Sequence, residues 1–242
     1  MAKAADAGHR VVLVVATKGE EGEVAEGYLR PGEPLWERRV AETHAAAKIL
    51  GASRVEFLGY VDSGMMGTPT NDVPGCFWKA DVEAAARRLA AILEEEQADV
   101  LTVYDENGVY GHPDHIQVHR VGMRAGELAK TPKVYMNTVN NDEMQRSMKE
   151  AVELDLPIPG DIAPEDFNLG VPEARITAAV DVTDKLEVKR AAMAAHASQI
   201  AETSFFLAMP PELFSKAFGR EWYILEGAPA GTTETDLFEG LD

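Results

Sequence analysis

The sequence has almost no cysteine, since Cys76 is the single one in 242 residues. One thiol excludes an internal disulfide and a cysteine-rich zinc site, and it is typical of a reducing compartment. The chain also has no apolar stretch of membrane-spanning length, and residues 1–10 lack the hydrophobic core of a signal peptide. The sequence therefore predicts a cytoplasmic protein without membrane insertion.

Basic residues are scarce as well, with 23 Lys+Arg against 41 Asp+Glu and a formal net charge of −18. This charge repels nucleic acids and anionic membranes, so neither is a predicted partner. The length allows one good hydrophobic core. We predict a single α/β domain over residues 1–227 and a disordered acidic tail over residues 228–242, and the composition leaves a homo-oligomer open.

A nucleotide-binding loop is also missing. Residues 17–23 form a glycine-rich segment, Thr-Lys-Gly-Glu-Glu-Gly-Glu, directly after the apolar run at residues 11–16. The segment has neither the Gly-x-Gly-x-x-Gly spacing nor the Gly-Lys-Ser/Thr end of a phosphate-binding loop. Its three glutamates would repel phosphate, so we exclude a nucleotide site here.

What the chain does have is an alternation of short apolar runs with amphipathic segments. The predicted strands lie at residues 11–16, 54–60, 99–104, 133–138, 176–182 and 222–225, and the predicted helices at residues 1–7, 35–50, 81–96, from 112 onward, 142–154 and 184–199. The proline-rich stretch 156–164 is incompatible with regular structure. This order predicts a mostly parallel, Rossmann-like sheet with helices on both faces. Loops 17–23, 61–75 and 105–112 should then lie at one edge of the sheet.

Three of the six histidines fall between Tyr104 and His119, at the end of a predicted strand. Pro113 suits the first position of a helix, so the helix should begin beside His112. At about 100° per residue, His112 and His119 lie roughly 20° apart and His115 about 60° to one side. Paired imidazoles on one helix face indicate a metal site, whereas a capped helix start with a core histidine is the structural alternative. We favour the functional interpretation for His112 and His115 and the structural one for His119.

These residues resemble the PIG-L/LmbE-like N-acetylglucosamine deacetylases, which are zinc-dependent amidases that include the deacetylase and the conjugate amidase of mycothiol metabolism. The resemblance covers roughly residues 1–199. Its most specific motif is Tyr-Asp-Glu-Asn-Gly-Val-Tyr-Gly-His-Pro-Asp-His at residues 104–115. Supporting motifs lie at residues 17–23, 61–67 and 189–199.

The resemblance implies a role for each matching residue. His115 is implied as a zinc (Zn²⁺) ligand and His112 as the imidazole that protonates or stabilises the tetrahedral oxyanion. Asp114 is implied as the group that orients His112, and Tyr110 as a second oxyanion donor. The residues implied to bind the hydroxyl groups of a small amino-sugar conjugate are Arg39, Asp62 and Glu23.

The sequence also departs from the family pattern. The family opens with a strand that ends in Ala-His-Pro-Asp-Asp-Glu and supplies two further zinc ligands and the general base, and this sequence has no such segment, so the first strand is predicted to be missing. Our main hypothesis is a zinc-dependent hydrolase that removes an N-acyl group from an N-acetylglucosamine-type conjugate. The alternative is a non-catalytic sugar-binding or partner protein of the same fold. If the metal is held differently, Asp105, Glu106 and His119 are the next candidates.

Overall fold

The computed structural model describes residues 1–24, 27–153, 168–200 and 204–241. The chain forms two compact units. The single domain over residues 1–227 stays a prediction. The first unit comprises Met1–Ala80 and Asp181–Arg220, and the second comprises Asp81–Val180 and Glu221–Asp242. The proline-rich stretch 156–164 lies outside the described residues.

The elements follow the predicted alternation. The helices are α1 (Ala2–Asp6), α2 (Leu35–Ile49), α3 (Val82–Glu96), α4 (a single turn, Gly108–Gly111), α5 (Pro113–Ala129), α6 (Asn141–Glu153), α7 (Leu186–Ala195), α8 (Phe205–Ala208) and α9 (Pro211–Phe218). The strands are β1 (Val12–Val15), β2 (Arg54–Phe57), β3 (Val100–Tyr104), β4 (Lys133–Thr138), β5 (Ala178–Asp181) and β6 (Arg220–Leu225). The α/β class is therefore confirmed. Within the described residues, no helix has the length and apolarity that a membrane crossing requires.

In the first unit, β1 and β2 pair in parallel, with Val12 opposite Arg54 and Val15 opposite Phe57. The loops that follow these two strands meet, as predicted for parallel neighbours. The backbone N–H of Glu21 donates to the Asp62 carboxylate at 3.3 Å, and the Asp62 N–H donates to the Glu20 carboxylate at 3.3 Å. Loops 17–23 and 61–75 are thus joined by hydrogen bonds through Asp62.

The second unit is built on a mixed sheet in the order β3-β4-β6-β5. β3 and β4 are parallel, in line with the mostly parallel sheet predicted, whereas β4 and β6 are antiparallel. Val103, Met136, Val171 and Ile224 form its buried core. α5 packs on β3 and β4 through glycine: a Cβ at Gly122 would lie 2.2 Å from a methyl carbon of Val103. The sheet therefore holds α5 close, and the first turns of this helix carry the histidines.

The sequence predicted a disordered acidic tail over residues 228–242, and within its described part, residues 228–241, Glu234 is held by specific hydrogen bonds. Glu234 forms backbone hydrogen bonds with Thr177 and Ala179 beside β5. Its carboxylate accepts from Lys133 Nζ at 2.7 Å and from the Tyr135 hydroxyl at 2.5 Å. Burial, and then the Glu234 carboxylate, raise the pKa of Tyr135 far above its ordinary value. A small acidic segment is ordered here because its carboxylate satisfies two polar groups that the sheet buries.

Candidate functional site

The entry to α5 has the predicted strand–loop–helix geometry. β3 ends at Tyr104, and Pro113 occupies the first turn of α5 after the extended N-cap residue His112. The Nδ1 atom of His112 accepts the backbone N–H of Asp114 at 3.1 Å. An accepting Nδ1 carries no proton, so the neutral ring holds its proton on Nε2. The Nε2–H group of His112 can therefore act as a hydrogen-bond donor.

His115 has the opposite arrangement of its ring nitrogens. Its Nδ1 lies 3.3 Å from the carbonyl oxygen of Gly108. A carbonyl only accepts, so Nδ1 carries the proton and the lone pair lies on Nε2. The ring stacks on Tyr104, with centroids 4.0 Å apart and planes 5° from parallel. Stacking and the hydrogen bond together fix the direction of the Nε2 lone pair.

The structure brings three of the predicted catalytic and metal residues together. The ring centroids of His112 and His115 are 5.1 Å apart. Tyr110 stands edge-on to both rings, at 6.2 Å from His112 and 5.0 Å from His115. With 51% of its surface exposed, Tyr110 is the member of this group that solvent reaches most easily. We call Tyr110, His112 and His115 the imidazole cluster.

Asp114 and His119 lie next to this cluster in the sequence but contact it differently. The hydrogen bond described between Asp114 and His112 comes from the Asp114 backbone, and the predicted role of the buried Asp114 carboxylate stays a prediction. His119 Nδ1 lies 3.0 Å from the carbonyl oxygen of Tyr104, which joins α5 to the end of β3. This contact agrees with the structural interpretation of His119.

The three predicted sugar-binding residues all lie in the first unit. Arg39 is only 7% exposed, and its guanidinium donates to the carbonyl oxygens of Gly19 at 2.5 Å and Glu23 at 3.0 Å. Burial lowers the pKa of Arg39, and the charge of Asp62 opposes that shift. Loop 17–23 therefore folds around a buried guanidinium, with Glu23 contributing its backbone carbonyl. A role for these residues in binding sugar stays a prediction.

The sequence interpretation missed a buried pair behind Arg39. Glu42, one turn further along α2, accepts from the backbone N–H of Ser198 at 2.9 Å and from its hydroxyl at 2.6 Å. Ser198 belongs to the His-Ala-Ser-Gln segment that follows α7. That motif contributed to the resemblance, but no sequence signal linked it to Glu42, because the two residues are 156 positions apart.

The described residues do not complete a catalytic zinc site. Such sites keep three protein ligands, and metal-bound histidines donate their other N–H to a carbonyl or carboxylate. His115 meets the second condition through Gly108. Across residues 1–24, 27–153, 168–200 and 204–241, however, no group of three or more His, Cys, Asp or Glu side chains is placed to hold a metal ion.

An α/β fold with paired imidazoles at the carboxyl end of a strand is the arrangement that the family resemblance implies. The family model described as GlcNAc-PI de-N-acetylase (PIG-L) matches residues 1–126. A 1D-myo-inositol 2-acetamido-2-deoxy-alpha-D-glucopyranoside deacetylase from Thermomonospora curvata is 40% identical, over 100% of this chain and 90% of its own length. The chain belongs to the PIG-L family.

Solved structures extend the likeness in fold. An N,N'-diacetylchitobiose deacetylase from Pyrococcus horikoshii matches 93% of this chain and 75% of its own, with a TM-score of 0.55 and 23% identity. A 4-carboxy-2-hydroxymuconate hydratase from Pseudomonas putida matches 94% of this chain and 88% of its own, with a TM-score of 0.57 and 18% identity. At these identities the likeness shows the fold alone. The same fold serves proteins named for different reactions, so the reaction has to be argued from the site.

Proposed function

We propose that this protein is a deacetylase that hydrolyses the acetamide of an N-acetylglucosamine conjugate, with 1D-myo-inositol 2-acetamido-2-deoxy-alpha-D-glucopyranoside as its substrate. The observation that carries the reaction class is the complementary pair of tautomers in the imidazole cluster. His112 offers an N–H on Nε2, and His115 offers a lone pair on Nε2, with ring centroids 5.1 Å apart. The substrate is inferred from the relative that is 40% identical over the whole chain.

Deacetylation adds water to the acetamide carbonyl carbon and then breaks the C–N bond, which yields acetate and a free amine. The carbonyl oxygen gains negative charge in the tetrahedral intermediate, and hydrogen-bond donors aimed at that oxygen lower the barrier. In this proposal, the Nε2–H of His112 is the first donor and the hydroxyl of Tyr110 is the second. The proton that the attacking water gives up ends on the leaving amine as the C–N bond breaks.

Zinc is the cofactor that the family resemblance implies. We therefore propose that the deacetylase activity requires zinc. The tautomer of His115 supports this choice, because a ligating imidazole needs its lone pair on one nitrogen and a fixed partner on the other. The described residues supply this one ligand and do not fit a complete site. The roles proposed for His112 and Tyr110 therefore rest on their own hydrogen-bonding capacity.

The test is to incubate the full chain with this inositol conjugate, with and without added zinc, and to measure acetate and primary amine together. We expect the two products in equal amounts. His112→Ala should lower kcat by on the order of 100- to 1,000-fold, as removal of an oxyanion donor does elsewhere. The matched control is His44→Ala, which removes an exposed histidine of α2. Equal activity of the His112 variant and the wild type would contradict the role of His112.

A non-catalytic sugar-binding protein of the same fold is the second candidate, and the incomplete set of metal ligands among the described residues is the observation that favours it. Isothermal titration calorimetry separates the two candidates. Binding of the conjugate without acetate release at any zinc concentration would establish the non-catalytic function. Release of acetate in proportion to protein concentration would exclude it.

A further inference from the structure

Asp105 is an ionisable side chain that the proposed reaction does not use, yet it is completely buried, with 0% of its surface exposed. Its Oδ1 accepts the backbone N–H of Asn107 at 3.0 Å and that of Val109 at 2.9 Å. Its Oδ2 accepts the hydroxyl of Thr138 at 2.6 Å. A buried carboxylate is tolerated only when hydrogen bonds replace its water. All three donors come from the loop after β3 or from the end of the neighbouring strand β4.

One of those donors belongs to a strained residue. Val109 has φ +66° and ψ −56°, the conformation of a γ-turn that is rare and strained, and a β-branched side chain makes it costlier. Both backbone groups of Val109 are held, the N–H by Asp105 at 2.9 Å and the carbonyl by the N–H of Gly170 at 3.4 Å. Residues in such conformations persist only where the surroundings hold them, and they concentrate at functional sites.

The strained residue directly precedes the imidazole cluster. Val109 is followed by Tyr110, whose ring stands edge-on to His115 and His112 although half of its surface is exposed. Packing constrains a half-exposed ring less than a buried one, so its direction depends strongly on the backbone that presents it. Gly108, on the other side of Val109, closely approaches the first turn of α5, since a Cβ there would lie 2.7 Å from the Cβ of His115. The turn at Val109 therefore sets where Tyr110 stands relative to both imidazoles.

We propose that Asp105 and Thr138 are positioning residues: they hold the strained turn at Val109 and thereby keep Tyr110 beside His112 and His115 for the reaction. This inference rests on the proposed function for its catalytic consequence. The position of the Tyr110 ring can also be measured without substrate.

The kinetic test uses Thr138→Val, which removes the hydroxyl donor while keeping the shape, and Thr138→Ser, which restores a donor. We expect Thr138→Val to lower kcat by on the order of 10- to 100-fold with KM within about twofold, since small misplacements of reacting groups have effects of this size. Thr138→Ser should recover most of the loss. The control is Thr102→Val, at an exposed position of β3 in the same unit. A Thr138→Val enzyme with wild-type kcat would overturn the inference.

Val109→Gly separates positioning from simple stabilisation, because glycine adopts this conformation without the strain. We expect this variant to match or exceed the wild type in thermal stability and to lose on the order of tenfold in kcat, since the turn is then free to move. A merely structural role predicts that stability and kcat move together. Retention of full kcat by Val109→Gly would contradict the inference.

The substrate-free measurement is the nuclear Overhauser effect between the rings of Tyr110 and His115, in protein labelled selectively at tyrosine and histidine. The effect should be present in the wild type and lost or weakened in Thr138→Val. If the wild type shows this effect but releases no acetate, the proposed function fails while the positioning of Tyr110 stands. If Thr138→Val keeps an unchanged effect, the positioning inference fails whatever the activity.

Discussion

The buried pair between Glu42 and Ser198 gives the sharpest quantitative prediction. Ser198→Ala removes the hydroxyl that donates to the Glu42 carboxylate at 2.6 Å, while the backbone N–H at 2.9 Å remains. Glu42 is 7% exposed, so water does not readily replace the lost donor. A hydrogen bond to a charged group contributes about 1.5–3 kcal/mol. We therefore expect Ser198→Ala to lower the free energy of unfolding by that amount.

The assay is urea unfolding followed by circular dichroism, together with a thermal scan. For a chain of this length, each kcal/mol shifts the melting temperature by roughly 2–4 °C, so the expected loss is on the order of 3–12 °C. Ser53→Ala is the control, because it removes a hydroxyl from an exposed residue of the same unit. The double variant Ser198→Ala/Glu42→Gln should lose much less free energy of unfolding than the two single variants lose together, because both changes affect the same hydrogen bond.

A loss below about 0.5 kcal/mol, the range of ordinary surface substitutions, would refute the reasoning. It would mean that the carboxylate finds another donor once the hydroxyl is gone. Additive effects in the double variant would refute it independently.

The site and its surroundings yield three further predictions. In zinc titrations of the full chain, His115→Ala should weaken zinc binding by at least about tenfold, and His112→Ala should weaken it much less. The reason is that Nδ1 of His112 already accepts a hydrogen bond from the backbone N–H of Asp114. Equal zinc affinities of the two variants would contradict this prediction. Gly22→Ala should raise KM for the inositol conjugate with little change in kcat, because its Cβ would lie 2.0 Å from the Arg39 guanidinium, and an unchanged KM would count against sugar binding by Arg39. Burial lowers the pKa of His196 in the folded protein, so as the pH falls this residue takes up a proton in the unfolded chain before it does so in the folded chain. The free energy of unfolding should therefore fall as the pH drops below about 6.5, until the pH passes the pKa of His196 in the folded state. Urea unfolding from pH 8 to pH 5 should show a smaller fall for His196→Gln than for the wild type, and parallel curves would contradict the assignment.

Local signals in the sequence were enough to predict most elements. Residues 133–138 were predicted as a strand and are β4, and the helix predicted at residues 35–50 is α2, Leu35–Ile49. The position of Pro113 also indicated the start of α5 and, through it, the meeting of His112 and His115. These features depend on residues within a turn or two of one another, where propensity and periodicity act.

Features that depend on distant residues could not be predicted in this way. The antiparallel pairing of β6 with β4 joins segments about 90 positions apart, and a short apolar run at residues 222–225 does not encode its direction. The burial of Arg39 depends on backbone carbonyl groups of loop 17–23. Every residue has a backbone carbonyl, so no sequence motif indicates this contact. The positive φ of Val109 was equally hidden, because valine is among the residues least expected in that conformation.

The order of residues 228–241 has a practical consequence for anyone who shortens this protein. Judged by composition, Gly227 is a natural place to cut, since the residues after it are small, polar and acidic. The cut would remove Glu234, and with it the carboxylate that neutralises Lys133 and receives the Tyr135 hydroxyl. A buried ammonium group left without its counter-ion is strongly unfavourable. We expect a protein ending at Gly227 to express poorly or aggregate, so purification tags and fusions belong beyond residue 241.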